Sequence, residues 1–195
     1  MKRGKFIVFE GIDGSGKTTC LNSAAAELQK RANIIMTSEP TKEKIGMLIR
    51  ASPEIQPETE ALLFTADRAE HTVAIKKWLD EGYVVLCDRY FASTLAYQSA
   101  EMNGRSVGMP WLKMINQEVT AVPELTFLFD IETKLALSRV SDRGSTSKFE
   151  EIEYLRQVRK NYLRVAKEFD FIVIDASKTK EEVLREVMGH ISRII

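Results

Sequence analysis

The sequence has few residues of the kinds that form disulfides or metal sites. Its 195 residues include two cysteines and two histidines. Cys20 falls in a predicted helix and Cys87 in a predicted strand, and no nearby set of cysteines and histidines completes a metal site, so we expect both to be reduced packing residues. His71 and His190 are isolated in the sequence, and we expect each to lie on a helix surface rather than to act as a catalyst.

The sequence also lacks an excess of charge and a long hydrophobic run. Lysine plus arginine and aspartate plus glutamate both total 28, so the formal net charge is zero. Proteins that bind polyanions usually carry a basic excess, so we expect no nucleic acid partner, and any anion binding must come from a local cluster. No segment approaches the ~18 consecutive apolar residues of a membrane span. A strand and a glycine-rich motif directly follow the basic residues 1–5, so we expect no signal peptide and a cytoplasmic protein.

Five short apolar runs indicate buried strands, and helical patterns lie between them. The predicted strands are Phe6–Phe9, Ile34–Thr37, Tyr83–Cys87, Leu125–Phe129 and Phe171–Ile174. The predicted helices are Lys17–Arg31, Lys44–Ala51, Pro57–Glu81, Ser93–Ala100, Pro110–Val119, Lys134–Arg139, Glu151–Phe169 and Glu181–Ile194. Alternating strands and helices favour a parallel sheet covered on both faces, in one domain over residues 1–195.

Residues 11–19 have the pattern of a phosphate-binding loop. They fit G-x-x-x-x-G-K-[ST], with Gly11, Gly16, Lys17 and Thr18 in the fixed positions, between a predicted strand and a predicted helix. The glycines let backbone N–H groups turn inward around an anion, and the following helix adds its positive end. Lys17 can reach the β- and γ-phosphates of a nucleotide, and the Thr18 hydroxyl can bind Mg²⁺. The other expected nucleotide contacts in the loop are Asp13, Gly14, Ser15 and Thr19.

Two carboxylates at strand ends are candidates for a second Mg²⁺ contact beside Thr18. Asp88 and Asp130 each follow an apolar strand, and the pattern alone does not choose between them. Asp88 is followed by Arg89, which would put charge for an ion and charge for a phosphate at one strand end, where ligands of open α/β sheets bind. We therefore favour Asp88, and we expect Asp130 to cap the next helix.

A second group of residues could bind a base and another phosphate. Phe64 and Arg68 lie four residues apart on a predicted helix, so they share one face, where an aromatic plane and a planar donor fork suit a base. A core phenylalanine beside a surface arginine is the alternative. After the second strand, Glu39 fits a structural acid, and Lys42 fits either a solvated lysine or a contact with the second phosphate.

The segment Ser141–Lys148 is polar, basic and loop-like. A solvated charged loop is the ordinary interpretation of such a run. A mobile polar loop in a nucleotide-binding protein is also a candidate lid, here over residues 139–150. Phosphoryl transfer builds charge on the transferred group and rewards arginines that close over it, so Arg139 and Arg143 are candidates for nucleotide binding and catalysis.

Three runs resemble segments of the thymidylate kinase family. They are Phe-Glu-Gly-Ile-Asp-Gly-Ser-Gly-Lys-Thr-Thr at 9–19, Leu-Leu-Phe-Thr-Ala-Asp-Arg at 62–68 and Asp-Arg-Tyr-Phe-Ala-Ser-Thr-Leu-Ala-Tyr-Gln at 88–98. The Glu39-Pro40 turn, the segment 139–148 and the strand end at 174–177 follow the family's order, so the resemblance covers essentially the whole chain. It implies a three-layer P-loop NTPase fold, with a five-stranded parallel sheet, helices on both faces and a short lid.

The resemblance also implies an activity and an assembly. Members of the family transfer the γ-phosphoryl group of ATP to thymidine monophosphate, dTMP, and give the diphosphate. They usually form two-fold homodimers through helices, and the helices predicted at 57–81 and 93–100 could supply such a face. Both helices could equally pack only on their own sheet.

Roles for individual residues follow from the same resemblance. It implies that Phe64 stacks on thymine and that Arg68 hydrogen-bonds its edge. It implies that Asp13 contacts the sugar hydroxyl and that Arg89 holds the acceptor phosphate, acting in catalysis together with Lys17. The remaining substrate contacts that it implies are Thr94 and Gln98 near the base, Tyr97 under the sugar, where it disfavours a 2′-hydroxyl, and Lys42 at the acceptor phosphate.

The chain departs from the family pattern at two positions. Some members carry an arginine in the phosphate loop where this chain has Gly14, and those members lack lid arginines. Because Arg139 and Arg143 fit the arrangement with lid arginines, we expect Arg143 to be the catalytic arginine. Many members have glycine after the Glu-Pro pair, and Thr41 at this place weakens the expected contact of Lys42.

Two other functions are compatible with a phosphate-binding loop. One is a kinase for another nucleoside monophosphate or for a deoxynucleoside, which a substrate panel would separate. The other is a regulatory ATPase, which would hydrolyse ATP slowly and would not respond to dTMP. The acceptor-side features Phe64, Arg68 and Arg89 favour a kinase, because a switch needs no second base site.

Overall fold

The computed structural model describes residues 3–52, 55–101, 104–140 and 148–195. In these residues the chain forms five strands and eight helices. The strands are β1 (Lys5–Glu10), β2 (Ile34–Ser38), β3 (Val84–Asp88), β4 (Leu125–Asp130) and β5 (Ile172–Asp175). The helices are α1 (Lys17–Leu28), α2 (Lys44–Ala51), α3 (Pro57–Asp80), α4 (Phe91–Gln98), α5 (Met109–Gln117), α6 (Thr133–Val140), α7 (Lys148–Glu168) and α8 (Lys180–Ile191).

The strands form one parallel sheet in the order β2-β3-β1-β4-β5. Because all strands run the same way, their carboxyl ends meet at a single edge of the sheet. The register places both Phe9 of β1 and Ser38 of β2 beside Asp88 of β3. Three strand ends therefore converge at the edge where open α/β sheets bind ligands.

Helices cover the sheet, as expected for the predicted fold class. On one side α1 packs against β1, β2 and β3 and also contacts α8, while on the other α3, α4 and α7 pack in a row. Residues 6–9 of β1 are almost fully buried, which explains why this central strand is a continuous apolar run. The predicted α/β fold with a five-stranded parallel sheet is thus confirmed. In the part of the chain that the structure describes, no helix combines the length and apolar composition of a bilayer span.

All the predicted strands and helices are present in the described residues, with shifted ends. Helix α1 ends at Leu28 rather than Arg31, because the three polar residues beyond it are exposed and bury no surface that would extend the helix. Helix α7 begins at Lys148 rather than Glu151. Residues 139–140 and 148–150 of the expected lid are therefore helical, and residues 141–147, including Arg143, lie outside the described residues.

Candidate active site

The loop between β1 and α1 has the backbone conformation of an anion site. Gly11, Gly14 and Gly16 have φ angles of 147°, 80° and 84°, in a region that favours glycine. Helix α1 begins at Lys17, so its free N–H groups and its positive end face the same space. The Lys17 side chain is buried, with Nζ 3.5 Å from Asp13 Oδ1. Burial and then the charge of Arg89 lower the pKa of Lys17.

Gly14 is required by the packing of the loop against α6. A Cβ atom on Gly14 would lie 2.1 Å from the Ala136 carbonyl oxygen and 2.9 Å from Val140 Cγ2. Both distances are shorter than a nonbonded contact allows, and one involves backbone that cannot rotate away. The absence of an arginine from this loop position is therefore a geometric consequence of the neighbouring helix.

Asp88 and Thr18 form the polar pair that sequence reasoning favoured for Mg²⁺. The Thr18 hydroxyl donates to Asp88 Oδ2. The second carboxylate oxygen of Asp88, Oδ1, is buried and has no hydrogen-bond partner among the described residues. An unpaired buried carboxylate oxygen beside a hydroxyl, next to the phosphate loop, fits the oxygen ligands that Mg²⁺ prefers, either directly or through water.

Asp130 has a different role from the one expected. It does not cap the following helix; its carboxylate accepts two parallel hydrogen bonds from Arg159 of α7, at 2.7 and 2.8 Å. The bidentate geometry is the strong form of an arginine–carboxylate pair. Asp130 thus ties α7 to the end of β4.

A cavity of about 700 Å³, which we call the acceptor cavity, lies beside the phosphate loop. It brings together most of the residues predicted for the acceptor. The predicted residues among its walls are Asp13, Phe64, Arg68, Arg89, Thr94, Tyr97 and Gln98. Lys42 is exposed and lines a different cleft, together with Thr18 and Asp88. The structure therefore separates Lys42 from the wall that holds the other acceptor residues.

Arg68 is held by the protein on most of its donors. It is 1% exposed, its Nε donates to Glu39 Oε2 at 2.9 Å, and its Nη2 forms an ion pair with the same oxygen at 2.7 Å. Nη2 also donates to Thr94 Oγ1 at 3.0 Å, and Nη1 donates to Asn116 Oδ1. A guanidinium group has five N–H donors, so one Nη1 hydrogen is left for a ligand in the cavity. The alternative of a surface arginine at this position is wrong.

His71 is buried rather than on a helix surface, contrary to expectation. Its Nε2 lies 2.8 Å from Thr37 Oγ1 and its Nδ1 lies 2.9 Å from Glu39 Oε1. Glu39 therefore holds Arg68 with one oxygen and His71 with the other, which makes it the structural acid that the sequence indicated. His190 is half-buried with its ring edge toward Phe127, 6.0 Å between centroids.

Asp13 joins the phosphate loop to the acceptor cavity. Its Oδ1 lies 3.5 Å from Lys17 Nζ and 2.7 Å from Arg89 Nη2. Partial burial raises the pKa of Asp13, but the charges of Arg89 and Lys17 outweigh burial and the pKa is lowered. The Arg89 guanidinium also lies over the Tyr97 ring, 5.1 Å from its centroid. One carboxylate thus orients Lys17 of the phosphate loop and Arg89 of the acceptor cavity.

Comparison with known proteins identifies the family. The family described as thymidylate kinase matches residues 9–187. The chain is 42% identical to a probable thymidylate kinase of Methanosarcina mazei over 99% of this chain and 98% of the relative. It is 40% identical to one of Pyrococcus horikoshii (96% and 95% covered) and 41% identical to one of Methanocaldococcus jannaschii (97% and 96%). The chain belongs to the thymidylate kinase family.

Another cavity, which we call the donor cavity, lies next to the phosphate loop, as a thymidylate kinase family member requires for its nucleotide. This cavity is lined by Asp13 and most of the loop through Cys20, by Arg139, and by residues around the end of β5 and the start of α8. Arg139 is exposed at the end of α6, and its Nη1 donates to the Ala176 carbonyl oxygen at 3.0 Å. Arg139 is thus placed beside the loop, where a nucleotide contact was predicted.

Sequence reasoning missed several buried polar residues of this thymidylate kinase family member. Glu10 is 0% exposed at the end of β1, and burial raises its pKa although several hydrogen bonds oppose that effect. A carboxylate within an apolar strand was a usable signal, because burying one is costly unless it is bonded. Tyr162 and Asn116 carry no such signal, because a single tyrosine or asparagine in an amphipathic helix looks like ordinary packing.

Proposed function

We propose that the chain is a thymidylate kinase in activity as well as in family, transferring the γ-phosphoryl group of ATP to dTMP to give dTDP. The observation that carries this proposal is the shared carboxylate of Asp13. It contacts Lys17 of the donor loop and Arg89 of the acceptor cavity, and it lines both cavities. A phosphate held by Lys17 and a phosphate held by Arg89 would therefore meet near Asp13.

Positioning and charge neutralisation account for the chemistry. The amides of residues 14–19 and Lys17 hold the donor phosphates, and Arg139 lies beside the nucleotide. Arg89 holds the acceptor phosphate, and Arg143, which lies outside the described residues, would supply further positive charge to the moving group. These cations face charge that is spread over the transferred phosphoryl oxygens in the transition state, so no covalent intermediate is needed. Thr18 and Asp88 would hold Mg²⁺, which when bound neutralises charge on the donor phosphates.

Base selection comes from one donor and one acceptor in the cavity. Arg68 has one Nη1 hydrogen left, and Gln98 Oε1 is buried without a partner among the described residues. At C4 and N3 thymine offers a carbonyl and an N–H, which match that pair, whereas cytosine offers an amino group and a bare nitrogen at the same two positions and so reverses the order of donor and acceptor. Phe64 would supply the stacking plane, Tyr97 would pack under the sugar and disfavour a 2′-hydroxyl, and Thr94 bonds Arg68 and keeps it in place.

We also propose a homodimer formed through α3. Its exposed side carries Leu62 (49% exposed), Ala66 and Val73 (67% exposed), with spacings of a single helix stripe. An apolar stripe on the side of α3 that faces away from the sheet suits a symmetric helix–helix contact. A cytoplasmic location is proposed with it, in keeping with two free, buried cysteines. Analytical ultracentrifugation of the wild type and of Val73→Glu tests the dimer.

A coupled assay with ATP and Mg²⁺ tests the function. We expect ADP formation to depend on dTMP, with much slower turnover of UMP and dCMP. Equal rates with UMP would contradict the role of Tyr97, and a preference for dCMP would contradict the roles of Arg68 and Gln98. Slow ATP hydrolysis that does not respond to any monophosphate would contradict the kinase and favour a regulatory ATPase.

A further inference from the structure

Glu10 divides its two oxygens between two kinds of donor. Oε1 accepts from the backbone N–H groups of Tyr90 and Ser93, at 2.8 and 3.2 Å. Oε2 accepts from the Ser93 hydroxyl at 2.6 Å and from the Tyr162 hydroxyl at 3.1 Å. All four neighbours are therefore donors, which is the environment of a carboxylate with no hydrogen of its own.

The two hydroxyls that Glu10 engages are also the ones that hold Arg89. Arg89 Nη1 lies 3.1 Å from Ser93 Oγ and 3.2 Å from Tyr162 Oη. Each hydroxyl has only one hydrogen. Burial raises the pKa of the Tyr162 phenol well above its ordinary value, so this oxygen keeps its hydrogen.

The direction of the hydrogens follows from this count. If both hydroxyls give their hydrogen to Glu10, both present lone pairs to the guanidinium. The oxygens of Ser93 and Tyr162 are also 2.7 Å apart, so Tyr162 can instead donate to Ser93, which then donates to Glu10. In both arrangements Glu10 is the final acceptor, and neither hydroxyl points its hydrogen at Arg89.

The backbone of Arg89 explains why such support is needed. Arg89 has a φ of 69°, a left-handed conformation that is uncommon for a residue with a side chain. It directly follows β3, and its guanidinium must reach sideways over Tyr97 toward Asp13. A residue in a sparsely populated backbone conformation persists only where the surrounding structure holds it, and the partners of the Arg89 side chain contribute to that hold.

We propose that Glu10 and Tyr162 are positioning residues that aim Arg89 at the acceptor phosphate. This inference rests on the proposed function, because it takes Arg89 as the ligand of that phosphate. Tyr162 lies on α7, so this helix supports the acceptor arginine through a side-chain contact. Glu10 ends β1 and directly precedes the phosphate loop, so the support reaches Arg89 from the donor side as well.

Glu10→Gln tests the direction of these hydrogen bonds, because it replaces an acceptor by a donor with little change in the shape of the side chain. The glutamine oxygen can still accept from the two backbone amides, but its NH₂ group then faces the two hydroxyls as a donor. One hydroxyl can still donate to the other, but at least one hydrogen would then have to turn toward Arg89 and repel it. Tyr162→Phe is a second, independent variant, because it removes one acceptor from Arg89 and leaves Glu10 in place. Tyr83→Phe is the matched control, since Tyr83 lies at the opposite end of β3 from Arg89.

The readout is the affinity for dTMP compared with that for thymidine, measured by isothermal titration calorimetry. Only dTMP carries the phosphate that Arg89 would hold. We expect Glu10→Gln to weaken dTMP binding about ten- to hundredfold and Tyr162→Phe about three- to thirtyfold, in the range of a hydrogen bond to a charged group, with thymidine binding within about twofold of wild type. In an Arg89→Ala background neither change should have a further effect on dTMP. Tyr83→Phe should bind both ligands as the wild type does.

Three outcomes would overturn the inference. If both variants keep the wild-type preference for dTMP over thymidine, while Arg89→Ala loses it, the inference fails and the proposed function stands. If a variant loses affinity for dTMP and thymidine by the same factor, its residue supports the fold rather than Arg89. If the wild type itself binds both ligands equally, the role of Arg89 in the proposed function fails, and the inference fails with it.

Discussion

The donor loop and the acceptor cavity are built in opposite ways. The loop is nine consecutive residues, 11–19, and works mainly through backbone groups that three glycines turn toward one point. The acceptor cavity takes its polar groups from the ends of three strands and from α3, α4 and α7, and its central arginine, Arg68, is itself buried and bonded. A local backbone device can be recognised from a short motif, whereas an assembled side-chain device depends on the whole fold.

The largest effect on stability and dTMP binding should come from breaking the buried ion pair between Arg68 and Glu39. Arg68→Met leaves Glu39 as a buried carboxylate without its main counter-charge, so we expect the free energy of unfolding to fall by about 3–5 kcal/mol and dTMP binding to be lost. Adding Glu39→Gln should restore part of the stability and none of the dTMP binding. Urea unfolding and calorimetry of the single and double variants measure both. A stable single variant that still prefers dTMP would contradict the assembled character of this site.

The proposed catalytic role of Arg143 predicts an effect on the transfer step and none on the binding of either substrate. Arg143→Ala is expected to lower kcat about 10²–10³-fold, the typical cost of removing one group that stabilises transition-state charge. Equilibrium affinities for ATP and dTMP should change little. Steady-state kinetics of Arg143→Ala and of Arg164→Ala, an exposed arginine on α7, make the comparison. Near-normal turnover of Arg143→Ala would place the catalytic charge elsewhere, with Arg89 and Lys17 as the remaining candidates.

The donor loop should be sensitive to a change in its backbone conformation, which an added side chain at Gly14 would cause. Gly14→Ala adds a Cβ within 2.1 Å of the Ala136 carbonyl oxygen, at a φ of 80°. We expect a loss of about 2–4 kcal/mol in unfolding free energy, from overpacking and left-handed strain, together with loss of ATP binding.

Gly189→Ala is the matched control for the glycine at the loop. Gly189 lies on α8, where an added Cβ meets no described heavy atom within 4 Å, and φ there is not in the left-handed region. Alanine in that helix should stabilise the protein by about 0.5–1 kcal/mol. Equal effects of the two substitutions in thermal unfolding would show that the loop tolerates a side chain at position 14.

Substitutions of Asp88 and Asp130, the two aspartates at strand ends, distinguish metal binding from structural support. Asp88→Asn should raise the Mg²⁺ concentration for half-maximal velocity about 10–100-fold, because a neutral amide is a poorer partner for a hydrated cation. Asp130→Asn is the control: it weakens the bidentate pair with Arg159 and should lower stability while leaving the Mg²⁺ dependence unchanged. The same shift in both variants would mean that Asp88 has no special relation to the metal.

Helix α3 explains why the acceptor site was only partly predictable. Its buried side includes Asp67, Arg68, His71 and Thr72, while its apolar Leu62 and Val73 are exposed. Hydrophobic periodicity assumes that apolar residues face the core, and α3 reverses that rule at the active site. This reversal is why His71 was wrongly placed on the surface.

The fold and the donor loop were predictable for the converse reason. The parallel strands are continuous apolar runs because they are buried on both faces, and the loop has fixed glycine spacing because its backbone needs positive φ angles. The contact between Thr18 and Asp88 also agreed with the sequence, in which the neighbouring Arg89 favoured Asp88 over the other strand-end acid, Asp130. Partners such as Glu10 and Tyr162, which lie 152 positions apart, become neighbours only in the folded chain.

The smallest effects should appear in the reactivity of the two thiols, one beside each half of the site. Burial raises the pKa of Cys20 to about 12, and burial followed by the charge of Glu39 raises that of Cys87 well above its usual value. At pH 8 only about one Cys20 in 10⁴ is therefore a thiolate, and we expect iodoacetamide to label both cysteines slowly in the folded protein. Mass spectrometry can follow each residue separately.

Ligand protection of these thiols sharpens the distinction between the halves. Cys20 lines the donor cavity, and the Cys87 thiol donates to the Arg89 carbonyl oxygen at 3.0 Å. We expect ATP to slow labelling of Cys20 more than that of Cys87, and dTMP to do the reverse, because local openings expose each half on its own. If labelling required global unfolding, either ligand would protect both thiols equally by mass action. Equal protection would therefore mean that the two halves, although built differently, open as one unit.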